Sequence, residues 1–63
     1  MDFLSMDFFK SEIQRGFRVL GATQGYMQNT DDIRDWYREG YITEEQKKEL
    51  RQYNMDVFEK EGK

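Results

Sequence analysis

Met6, Phe9, Ile13, Phe17 and Leu20 recur at spacings of 3, 4, 4 and 3, so a helix from about Met6 to Leu20 gathers all five on one side. That stripe, more than any other feature, constrains the fold toward packed helices. Ser5 stands where an N-cap is wanted, and Asp7 falls in the first turn, where a negative charge suits the helix dipole. Phe8 and Val19 lie off the stripe. With Phe3 and Leu4 just upstream, they leave the N-terminal end apolar on more than one face.

Gly16, Gly21 and Gly25 then punctuate the chain, each costing about 1 kcal/mol relative to Ala inside a helix. Gly21 is the natural stop for the first helix, although Leu20, Gln24 and Met27 continue its register as far as Gln28. Ala22 to Asn29 reads as a linker. Small residues at 21 and 25 would let another helix come close, a weak signal outside an apolar membrane segment.

A second helix is expected from Thr30 to Glu39. Thr30 would cap it, Asp31 and Asp32 would occupy its positive end, and Gly40 would supply a left-handed C-terminal residue. Its apolar side is short, formed by Ile33, Trp36 and Tyr37. Thr43-Glu44-Glu45-Gln46 is a capping box and opens a third helix, 43 to 60, that carries Leu50, Tyr53, Val57 and Phe58 on one side. Gly62 closes it. The expectation is therefore an all-α, three-helix domain spanning residues 1–63. Its core or interface would be Phe9, Ile13, Phe17, Leu20, Ile33, Trp36, Tyr37, Ile42, Leu50, Tyr53, Val57 and Phe58.

A chain of 63 residues buries only about 60% of the surface its unfolded form exposes, so a staple or a partner would matter. There is no Cys, hence no disulfide and no thiolate nucleophile, and there is no His, the commonest metal ligand and the side chain best suited to acid–base work near neutral pH. Association is what remains. Ten aromatic residues, five Phe, four Tyr and one Trp, are more than one small core encloses, which points to self-association or a foreign protein partner. Interleaved signs and a net charge of -3 argue against nucleic acid as the partner. The longest apolar run is only a few residues, far short of a membrane span, and no basic region followed by a long apolar run opens the chain; the default expectation is a cytoplasmic protein.

The second and third expected helices, joined through Gly40-Tyr41-Ile42, would form a compact helix–turn–helix, or αα-hairpin, with Tyr41 and Ile42 plugging the corner. The run Ile33 to Leu50, IRDWYREGYITEEQKKEL, resembles the small XkdX-type proteins of phage tail gene clusters, and its Gly40 to Glu45 segment is also similar to the core of SHOCT-type short helical domains. The resemblance covers about a third of the chain and leaves the helix from Met6 to Leu20 without a counterpart. It implies a small phage or mobile-element accessory protein, found in the host cytoplasm, that works by contact and not by catalysis.

A small DNA-binding or transcription-modulating helix–turn–helix protein is the rival reading. Its recognition helix would open on Thr43-Glu44-Glu45, two carboxylates set against phosphate, although Lys47, Lys48 and Arg51 follow one turn later and Arg15, Arg18, Arg34 and Arg38 would flank them if the helices align. Catalysis has less to stand on. The acidic pairs Asp31/Asp32 and Glu44/Glu45 sit at helix N-termini, where the dipole accounts for them, and Asp31, Asp32 and Asp35 match no calcium-loop spacing. Neither an enzyme nor a cofactor is expected. An interfacial membrane helix would carry Lys and Arg on its polar side, whereas the N-terminal segment carries Asp2 and Asp7. Phe3, Leu4, Phe8 and Val19 are accordingly the expected partner-binding residues.

Overall fold

The computed structural model describes residues 5–61 and forms three helices: α1 (Met6–Leu20), α2 (Ala22–Arg38) and α3 (Glu44–Glu61). Phe3, Leu4 and Gly62 lie outside the described residues. α1 begins as expected, with the Ser5 hydroxyl accepting the Phe8 N–H at 3.3 Å. It ends at Gly21, whose backbone at φ 86° and ψ 175° is open to glycine and costly for any side chain. That one residue does two jobs. Its N–H donates to the Phe17 carbonyl at 2.9 Å and closes α1, while its own carbonyl accepts the Gly25 N–H at 2.9 Å and opens α2.

The second helix departs from expectation, because the Ala22 to Asn29 segment is helical and not a linker. Thr30 is not a cap. It sits mid-helix with its hydroxyl donating back to the Tyr26 carbonyl at 2.9 Å, the alternative that Thr has when its amide is already bonded within the helix. The reason lies in packing across the α1–α2 junction. Gly25 is buried against α1 so closely that a Cβ there would lie 2.8 Å from the Phe17 Cα and 2.9 Å from the Gly16 carbonyl oxygen. Contact at that range outweighs the helix penalty of one glycine, about 1 kcal/mol. Met27, which would have extended the α1 stripe, is instead exposed on α2.

α2 stops as the residues require. Gly40 adopts φ 85°, and the Tyr41 N–H reaches back to the Trp36 carbonyl at 2.9 Å, a Schellman-type closure. Both halves of the expected capping box then form: the Thr43 N–H donates to Gln46 Oε1 at 2.8 Å, and the Gln46 N–H donates to Thr43 Oγ1 at 3.1 Å. α2 runs antiparallel to both neighbours. Phe9 stacks obliquely on Trp36 with ring centroids 4.7 Å apart, Tyr26 meets Phe58 at 4.7 Å, and Lys10–Glu49 and Gln14–Tyr53 join α1 to α3, so all three helices touch and α1 and α3 run parallel.

The buried apolar core is Phe9, Ile13, Phe17, Ile33, Ile42 and Leu50, with Trp36, Tyr53, Val57 and Phe58 partly buried around it. Two expected members are outside. Leu20 is 42% exposed: it ends α1 at the turn and lines an open depression between α1 and α2. Tyr37 is 39% exposed because its neighbour Trp36 takes the inward position, leaving its ring under the Lys47 ammonium 4.1 Å away.

The centre of the bundle is polar. Asn29 and Asn54 are each 1% exposed, and the Asn29 amide donates to the Ile13 carbonyl at 2.9 Å and to Asn54 Oδ1 at 3.1 Å, joining all three helices at one point. Asn54 in turn donates to the Tyr26 carbonyl and the Thr30 hydroxyl, both at 3.3 Å. No described buried side-chain nitrogen or oxygen lacks a partner. A shift of one helix against the others would separate these partners and leave buried polar groups unpaired, so the network favours this alignment.

Candidate functional site

The stripe Phe9, Ile13 and Phe17 turns α1 inward, and what is left over defines its outer side. Phe8, Glu12, Arg15 and Val19 follow one another at spacings of 4, 3 and 4, which on a helix places them in a second row, about a third of a turn from the first. Phe8 is 44% exposed and Val19 68% exposed. The Phe8 ring touches the molecule edge-on through Phe9, at 5.4 Å and 76°, and the core closes without it. Glu12 and Arg15 form an ion pair at 3.8 Å in the middle of this row.

Beside the row lies a shallow depression of about 210 Å³ between α1 and α2, lined by Glu12, Arg15, Gly16, Val19, Leu20, Asn29 and Asp32. Gly16 forms its floor: a Cβ there would collide with the Asn29 carboxamide, 3.1 Å from its carbonyl carbon. Of the four expected partner-binding residues, Phe8 and Val19 are thus exposed on one face of α1, and Phe3 and Leu4 lie outside the described residues. Leu20, on the inward stripe by spacing, is exposed at the end of α1 and lines the depression beside Val19. The signal that could have moved it is its place directly before Gly21, where the chain reverses.

A second surface has different chemistry. The groove between α2 and α3, on the side away from α1, is lined by Arg34, Lys47, Lys48 and Arg51 together with Tyr26, Thr30 and Met55, and no carboxylate is among its lining residues. Arg34 is held by Asp31 at 3.2 Å at its edge. The other arginines named from sequence do not join it. Arg15 faces the depression beside α1, Arg18 lines the cleft between α1 and α3 with Lys60, and Arg38 is bound to Asp35 at 2.7 Å.

Asp31, Asp32 and Asp35 do not converge on a common point. Asp31 and Asp35 accept from Arg34 and Arg38, and Asp32 accepts from Gln28 at 3.0 Å. Among the described residues no three acidic side chains come together in a metal-binding group. No described helix is long and apolar enough to cross a membrane. Compared with family models, with curated proteins and with solved structures, the chain matches none.

Proposed function

We propose that the protein acts by binding another protein chain through the outer face of α1, with Phe8 and Val19 as its apolar anchors and Leu20 beside them. The observation that carries this reading is that six other apolar side chains already close the core, while these three stay exposed on one helix. Fully burying such a side chain is worth about 1.5 to 3 kcal/mol, and a partner that covers the exposed part of Phe8, Val19 and Leu20 recovers a fraction of that from each. In biological terms the protein is a small phage-type or mobile-element accessory protein in a host cytoplasm, a modulator or inhibitor of a host protein or a component of an assembly. That part of the proposal rests on the resemblance carried by the run Ile33 to Leu50.

Substituting Phe8→Asp tests it. The variant is expected to keep its helical circular dichroism and to lose the association expected of the wild type in cross-linking or affinity capture. An unfolded variant with undiminished association would place Phe8 in the core and sink the assignment. The cationic α2–α3 groove supports a second reading, binding of a nucleic acid backbone, which predicts sequence-tolerant gel shifts that collapse with salt and weaken in Arg51→Ala.

A further inference from the structure

The row Phe8, Glu12, Arg15, Val19 reads the same in reverse: apolar, charged, oppositely charged, apolar, at spacings of 4, 3 and 4. The midpoint falls between Glu12 and Arg15. If a second copy of α1 lies antiparallel against the first, residue i faces residue 27−i, and each side chain meets its complement. Phe8 meets the partner's Val19 at both ends, and Glu12 meets the partner's Arg15 twice at the centre. A parallel pairing does the opposite, setting Glu12 against Glu12 and Arg15 against Arg15, and like charges directly opposed are destabilising. The 4-3-4 spacing is also that of a coiled-coil seam, whose antiparallel form stacks the two kinds of seam position in mixed layers, as this register requires.

We propose that α1 pairs with α1 of a second copy of this chain, antiparallel, about a two-fold axis passing between Glu12 and Arg15. The proposal rests on the reading of the outer face of α1 as a contact surface, and it adds the occupant, the direction and the register. A two-fold interface is self-complementary by construction, so each useful contact is made twice. Self-complementarity of charge is what a surface shaped for an unrelated partner has no reason to show. The pair Glu12–Arg15, at 3.8 Å within one chain, is exposed enough to exchange partners: the Arg15 side chain is 65% accessible and that of Glu12 37%.

The register gives a reciprocal test by sedimentation equilibrium, on wild type, Glu12→Arg, Arg15→Glu and an equimolar mixture of the two variants. Glu12→Arg alone opposes arginine to arginine across the axis, and Arg15→Glu alone opposes glutamate to glutamate. Each variant is expected to dimerise at least about tenfold more weakly than wild type, two favourable pairs having become repulsive. In the mixture every arginine faces a glutamate again, and a heterodimer close to wild-type strength is expected. A folding defect would not be repaired by mixing, so recovery separates the interface from general destabilisation, with circular dichroism of each variant as the control. Variants that dimerise as wild type does, or a mixture that does not recover, overturn the register. A wild type that stays monomeric at several hundred micromolar overturns the dimer. In that last case, capture of a foreign protein that Phe8→Asp abolishes would leave the contact reading standing, and its absence would remove both.

Discussion

Gly25 stands where α1 and α2 come closest, and its missing side chain is a structural requirement there. A Cβ would enter within 2.8 Å of the Phe17 Cα and 2.9 Å of the Gly16 carbonyl, backbone atoms that cannot rotate away. Gly25→Ala is therefore expected to destabilise the protein by about 1 to 3 kcal/mol despite the better helix propensity of Ala, as a denaturant melt would show by a lower midpoint. A neutral or raised midpoint would mean that the two helices part easily. Asn54 is the matching case among polar residues. Its carboxamide accepts from Asn29 and donates to Tyr26 and Thr30, so Asn54→Ala strands buried partners and is expected to cost about 1 to 3 kcal/mol. Asn29→Ala combined with Asn54→Ala should cost less than the two single losses added, because the pair is removed together; strict additivity would show that the network is not coupled.

At the scale of the element, each helix is bounded by chemistry that acts locally. The capping box at the start of α3 holds two otherwise orphaned amides, and Thr43→Ala is expected to lower stability by about 1 kcal/mol, read as a shift of the urea midpoint. The turn between α1 and α2 is made at Gly21. At φ 86° and ψ 175° an alanine is strained although nothing lies within 4 Å of its Cβ, so Gly21→Ala is expected to cost about 1 to 3 kcal/mol through the backbone and not through packing. If that substitution instead proved harmless, α1 and α2 would have to be joined by some other turn, and the antiparallel pairing that buries Gly25 would need a different account.

At the scale of the whole molecule, two surfaces of different chemistry lie on different helices. The outer side of α1 carries Phe8 and Val19 around a central ion pair, while the α2–α3 groove collects Arg34, Lys47, Lys48 and Arg51 on a protein of net charge -3. These faces lie on different sides of the bundle, so substitutions on one should leave the other's behaviour alone. Phe8→Asp is expected to change association without changing any salt-dependent retention on an anionic resin, and Arg51→Ala the reverse. Cross-effects in both directions would indicate a single continuous surface.

The three-helix class, the bounds of α1, the Gly40 stop and the Thr43 start were legible in the residues, because apolar spacing, caps and left-handed glycines act within a few positions of the chain. The inward row Phe9, Ile13 and Phe17 was legible for the same reason, as was the exposure of Phe8 and Val19. What local signals could not carry was the first half of α2. There a glycine and two polar residues, Gly25, Asn29 and Thr30, discourage helix when read along the chain and favour it only when α1 and α3 are in place, since Gly25 then admits a backbone and Asn29 finds the Ile13 carbonyl and Asn54. The inward Trp36 and outward Tyr37 were decided in the same way. Adjacent aromatic residues on a helix compete for one side, and the position of Phe9 on α1, 4.7 Å from the Trp36 ring, settles which turns inward.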